Sequence, residues 1–118
     1  MDPFIQVTTT TDKREDAERI AQALVEGRLA ACVQILGPLT SVYRWKGRIE
    51  TAKEWLCLIK SRQSLQGSIE GAIRARHPYE TPEIVVQAIT AGSRDYLDWL
   101  GSEVACPDGS TPTVPGKK

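Results

Sequence analysis

The sequence predicts an α+β fold of the ferredoxin-like kind, a split βαβ sandwich with a long β hairpin and one extra helix at its C-terminal end. Three observations predict it. The hydrophobic period switches between two and 3.6 in the order β, α, β hairpin, α, β, α. A strand-like run from Leu29 to Lys46 is far longer than the first and last strands, so one hairpin must outgrow the sheet that carries it. The chain has 118 residues, 41% of them hydrophobic and 25% charged, which suffices for one core and is too short for two.

The elements follow in order. Ile5 and Val7 alternate with Gln6 and Thr8, giving a first strand over Phe4 to Thr9. Asp12 and Glu15 resemble a capping box, and Ala17, Ile20, Ala21, Leu24 and Val25 recur at helical spacing until Gly27, so a helix spans Lys13 to Glu26. Leu29 to Leu36 is apolar on both alternate sets, as in a strand covered on both faces. Gly37 and Pro38 interrupt it, the β pattern resumes over Leu39 to Trp45, Lys46 opens a turn, and a return arm runs from Ile49 to Arg62.

Ser64 is placed to cap a second helix with Leu65, Ile69, Ala72, Ile73 and Arg76 on one face, and Pro78 stops that helix at His77. Glu83 to Thr90 is a β-branched run that reads as a buried strand. A last helix carries Tyr96, Leu97, Leu100 and Val104 on one side. Residues 1–106 thus form one domain, and the turn formers from Pro107 to Lys118 predict a disordered tail.

Extended at about 3.3 Å per residue, Leu29 to Lys46 would reach roughly 60 Å, against about 20 to 26 Å for the first and last strands. The far half of the hairpin, with Val42, Tyr43 and Trp45, is then a two-stranded ribbon with free edges, and another subunit is expected to cover it. The alternative is that Gly37 and Pro38 fold the chain back into two shorter strands of a five-stranded monomer.

Composition excludes several partners. Fifteen Lys and Arg balance 15 Asp and Glu, which leaves no positive excess to draw a nucleic acid. The longest apolar runs, Leu29 to Val33 and Trp55 to Ile59, are five residues each, against the roughly 20 of a membrane-spanning helix. The N-terminal MDPFIQV lacks the basic start and apolar stretch of a secretory signal, so a cytoplasmic protein is expected. Cys32, Cys57 and Cys106 are odd in number and widely spaced, which fits neither a disulfide framework nor a CxxC motif; Cys32 and Cys57 are expected as buried thiols. Among activities hosted by this fold, an acylphosphatase-like enzyme needs an Arg after the first strand, where TTTTD has none, and an RNA reader needs aromatics on its central strands.

Two sets of residues are candidates for chemistry. His77 is the only histidine, a ligand type suited to copper or zinc, and Glu80 or Glu83 could complete its coordination. Its alternative role is to cap the second helix by bonding a carbonyl near that helix's end. Glu54 and Lys60 share one face of the return arm with Leu56 and Leu58, while Tyr43 and Trp45 share a face of the partner arm. With Tyr79 nearby in sequence to His77, such a set of aromatics with one acid and one base is able to hold a polar ligand at a subunit boundary. The alternative is a structural Glu54 and Lys60 pair with the aromatics as interface anchors.

The segments RLAACV (28–33), SVYRWKGRIE (41–50), EWLCLIKS (54–61), HPYETPEI (77–84) and YLDWL (96–100), in this order and spacing, resemble the CutA family of divalent-cation tolerance proteins. The resemblance spans Ile5 to Leu100. It implies a subunit related in architecture to PII signalling proteins, assembled as a homotrimer through the hairpin, with no enzymatic reaction attached. It also implies copper binding or a response to divalent metals, and as a second possibility a PII-like sensor of a small molecule at the subunit interface. Copper-binding members use a Cys at the end of the first strand and two adjacent His before the PY motif. Here those positions hold Thr9 and Arg76, and only His77 matches.

Overall fold

The computed structural model describes residues 2–105, so the predicted tail over Pro107 to Lys118, like Cys106, lies outside the described residues. The strands are β1 (Phe4–Thr11), β2 (Cys32–Trp45), β3 (Arg48–Arg62) and β4 (Val85–Ala88), and the helices are α1 (Arg14–Glu26), α2 (Gln66–Arg76) and α3 (Arg94–Glu103). They form one antiparallel sheet in the order β2-β3-β1-β4. The element order and the ferredoxin-like α+β class are those the sequence predicts.

Alternation along the central strands separates two faces. Ile5, Val7, Thr9 and Thr11 of β1 and Cys57, Ile59 and Ser61 of β3 are buried, and with Ala17, Ile20 and Leu24 of α1 and Ile69 and Ile73 of α2 they make the core. The opposite alternate set includes Gln6, Thr8, Leu56, Leu58 and Lys60, and Leu36 of β2, opposite Leu56, is half exposed. At one end of this second face, α3 packs closely: a side chain at Gly101 would run into Arg62 and Phe4, and Arg62 Nη2 donates to the Gly101 carbonyl at 2.8 Å.

The hairpin is continuous. β3 pairs with β1 only from Trp55 to Arg62, so the stretch from Arg48 to Glu54 is bonded to β2 alone, through seven consecutive pairs from Leu39↔Glu54 to Trp45↔Arg48. That ribbon overhangs the sheet by about 23 Å at about 3.3 Å per residue, and the long axis of the molecule is 48 Å against 27 and 25 Å across. Its turn is two residues, Lys46 and Gly47, at φ 50° and 79°. Two positive φ values match a type I′ turn, whose twist suits the flanking strands. Gly37 and Pro38 do not split the arm. They form a bulge between Leu36 and Leu39, where proline's missing N–H leaves no ladder bond unmade. Gly37 packs close against Trp55, and a Cβ there would sit 2.5 Å from Cδ1 of the indole.

Several local expectations are corrected. β2 begins at Cys32, because the amides of Leu29 and Ala30 bond back to the Leu24 carbonyl and finish α1 instead of opening a strand. It is also not covered on both faces. β1 runs on to Thr11, and α1 has no capping box: Lys13 is its N-cap, and Thr11 Oγ1 donates to the Lys13 carbonyl at 2.8 Å. At the other end the left-handed residue is Arg28 at φ 57°, while Gly27 keeps a negative φ. Tertiary bonds hold Arg28 there, since its carbonyl accepts from the Ala105 amide at 2.7 Å and its guanidinium reaches the Glu103 carbonyl at 3.2 Å.

Ser64 does not cap α2. It sits in a 3-10 turn, Gln63–Leu65, where its amide and hydroxyl both donate to the Asp2 carboxylate, at 3.0 and 2.6 Å. Of the residues expected on one face of α2, Ile69 and Ile73 are buried while Arg76, in its last turn, is exposed. β4 is a four-residue edge strand with Val85 half exposed, not a buried run from 83 to 90, because among the described residues β1 alone pairs with it. Cys57 is buried as expected, whereas Cys32 is only partly so.

Candidate functional site

The candidate site lies at the root of the hairpin, where the loop between α2 and β4 crosses the ends of β1 and β3. Pro78 forbids helix at His77, so the chain turns out of α2 with His77 extended at φ −84° and ψ 132°. The imidazole bridges two backbone groups. Nε2 is 2.7 Å from the Thr10 carbonyl, which only accepts, so Nε2 carries the proton; Nδ1 then accepts from the Tyr79 amide at 3.1 Å. The ring lies 4.7 Å from the Tyr79 ring, tilted by 56°.

Tyr79 is thereby aimed at β3. Its hydroxyl donates to Glu54 Oε2 at 2.8 Å, and Glu54, 7% exposed, is opposite Leu39 where the ribbon leaves the bulge. Burial, reinforced by the bond to Glu54 and the charges of Glu54, Asp12 and Tyr43, pushes the Tyr79 phenol well above its ordinary range. Glu83, from the same loop, is also raised, first by burial and then by the charge of Glu54. The root of the hairpin is therefore a compact acidic centre, with one carboxylate held by a phenol and a second that resists ionising beside it.

Of the predicted ligand-binding residues, Tyr79 and Glu54 meet directly and Tyr43 is near enough to act on Tyr79. Trp45 stands two residues further out, at the ribbon tip beside the turn. Lys60 is six residues along β3 from Glu54, about 20 Å away, where it donates to Gln34 Oε1 at 2.6 Å. Within one chain Lys60 makes no pair with Glu54. Sequence reasoning missed Thr10 and Asp12. Asp12 belonged to a helix cap in that reading, and the Thr10 carbonyl is a backbone group with no residue-type signal. Near α3, the Cys32 thiol and Tyr96 hydroxyl are 3.8 Å apart, and burial first, then Cys32, pushes Tyr96 up to about 12.

The family model described as "CutA1 divalent ion tolerance protein" matches residues 5–103. The chain belongs to the CutA1 divalent ion tolerance family. It is 47% identical to the divalent-cation tolerance protein CutA of Thermus thermophilus over 80% of this chain and 91% of that protein. It is 41% identical to the chloroplastic CutA protein of Arabidopsis thaliana over 83% of this chain, but spans only 54% of that longer relative. Among solved structures, the Thermus thermophilus Cut A1 protein superposes with a TM-score of 0.84 at 43% identity, covering 86% of this chain and 99% of that one. The two Thermus thermophilus names are of a divalent-cation tolerance protein, and neither denotes an enzyme.

The residues at the three positions Thr9, Arg76 and His77 are each engaged differently. Thr9 is fully buried opposite Cys57, inside the helix-covered core, with its hydroxyl unpartnered. Arg76 is exposed and donates to the Ala72 carbonyl of its own helix at 3.0 Å. His77 has a proton on one ring nitrogen and a bonded lone pair on the other. Among the described residues, no three His, Cys, Asp or Glu side chains gather as a metal-binding group.

Proposed function

We propose that this chain serves divalent-cation tolerance as a homotrimer, built by burying the β2–β3 ribbon and the open face of the sheet between subunits. The observation that carries this reading is the ribbon itself. Val42 and Ile49 on one of its faces are 67% and 61% exposed, and Tyr43 and Trp45 on the other are 44% and 46% exposed. A free two-stranded ribbon with apolar side chains on both faces is marginal in water, and a neighbouring copy with the same surface offers cover for both. Leu36 and Val85, half exposed at either edge of the sheet, extend the apolar area toward β4, whose outer edge pairs with no other strand among the described residues.

In this reading the protein responds to metal, with Glu54, Tyr79 and Glu83 at the ribbon's root placed to relate ionic conditions to subunit contacts. Light scattering tests the assembly. A mass of about 39 kDa, three times the 13.0 kDa chain, is expected at micromolar concentration, and a 13.0 kDa species overturns the reading. A second reading, a sensor of a small polar molecule at the subunit boundary, is favoured by one observation: Tyr43, Glu54 and Tyr79 come together beside exposed aromatic surface. Calorimetric titration of the trimer with divalent ions and, separately, with anionic and cationic metabolites distinguishes the two.

A further inference from the structure

We propose that His77 in this chain is a positioning residue and not a metal ligand: its neutral imidazole, held as the Nε2–H tautomer, clamps the Thr10 carbonyl of β1 to the Tyr79 amide and so sets the Tyr79 hydroxyl on Glu54. The inference rests on one chain's interior and stands whether or not the trimer forms.

A metal takes an imidazole through the lone pair of one nitrogen while the other keeps its proton. His77 has no such lone pair free. At Nε2 the partner is a carbonyl 2.7 Å away, which requires a proton there, and at Nδ1 the lone pair already accepts from the Tyr79 amide at 3.1 Å. Coordination at Nδ1 would leave the Tyr79 amide without its acceptor, and coordination at Nε2 would drive the proton onto Nδ1, where it faces that same amide as a second donor. Either event breaks the turn from which Tyr79 reaches β3. Nor are co-ligands in place, because Thr9 is sealed in the core and Arg76 puts a cation on the neighbouring position. What the imidazole does supply is registration. Through it, the end of β1, the α2–β4 loop and the root of the ribbon are joined by the consecutive bonds Thr10–His77–Tyr79–Glu54.

The full chain, labelled with 15N at histidine, decides the first half, since one histidine gives the whole imidazole spectrum. A pyrrole-type Nε2 and a pyridine-type Nδ1 are expected, unmoved by one equivalent of Zn(II). A shift of either nitrogen with Zn(II), or an imidazole nitrogen in the Cu(II) EPR spectrum that disappears in His77→Ala, overturns the proposal. The second half is read by tyrosine titration of folded His77→Ala. One further phenol is expected to move down by about one unit or more toward the ordinary range near 10, and to be absent in the His77→Ala/Tyr79→Phe double variant. An unchanged titration overturns the positioning role. If His77→Ala does not fold, the same titration on His77→Asn, which keeps an acceptor near Nδ1 but loses the bond to Thr10, takes its place.

Discussion

Tyr79→Phe removes one oxygen from the hairpin root and leaves the ring against His77. The lost bond, 2.8 Å long, joins a phenol to a carboxylate that is 7% exposed, so it belongs to the charge-assisted class worth about 1.5–3 kcal/mol. The bond is not the whole effect, because Glu54 remains buried with one fewer donor. The clean measure is a double-mutant cycle with Glu54→Gln and Glu54→Ala, followed by urea unfolding at one protein concentration, since assembly would make stability depend on it. A coupling near 2 kcal/mol is expected between Tyr79→Phe and Glu54→Ala, and about half of that with Glu54→Gln, which keeps an acceptor but drops the charge. The same bond predicts a pH dependence. The phenol is harder to ionise in the folded than in the unfolded state, so its contribution is complete below about 10 and is lost as pH rises beyond that. A coupling under about 0.5 kcal/mol, or equal alkaline sensitivity in wild type and Tyr79→Phe, would refute the link between loop and ribbon.

Gly37→Ala places a Cβ 2.5 Å from Trp55 Cδ1 and 3.0 Å from the Glu54 carbonyl, so a loss of about 1–3 kcal/mol is expected in urea unfolding, with the indole fluorescence displaced. Glu83 carries a raised carboxyl, which favours the folded state at low pH and is lost as pH climbs through its titration; Glu83→Gln should therefore stabilise the protein at pH 7 and have no such advantage near pH 3. Leu100→Ala empties a fully buried position under α3 and is expected to lower stability by about 2–5 kcal/mol, with a smaller loss indicating that the site collapses.

Much of this architecture is legible in residue patterns because each signal is local. Ile5 and Val7 alternate, Ile20 and Leu24 recur at helical spacing, and Pro78 stops α2 at the residue it must. The failures share a different cause. Asp12 and Glu15 look like a capping box, yet the end of β1 reaches Thr11 and its hydroxyl takes the carbonyl of Lys13 instead. Ser64 looks like an N-cap until Asp2, sixty-two residues earlier, claims both its donors. Leu29 and Ala30 look like strand, but their amides close α1. In each case a neighbour distant in sequence or a backbone carbonyl decided the outcome, and neither leaves a mark on residue type.

The sequence by itself determined the order of the elements, the length of the hairpin and the identity of its family, because period, punctuation and ordered motifs are properties of the chain. Only the tertiary structure decided what His77 does. An imidazole is equally suited to a metal, a helix end or a backbone bridge, and the choice among them depends on which atoms stand 3 Å from each nitrogen. Those atoms are the Thr10 carbonyl and the Tyr79 amide, brought together by the end of an inner strand and a loop separated by more than sixty residues. Packing also turned Glu54 from one member of an alternating arm into a buried carboxylate with a phenol on it, since burial is set by what folds over a residue and not by the residues beside it in the chain.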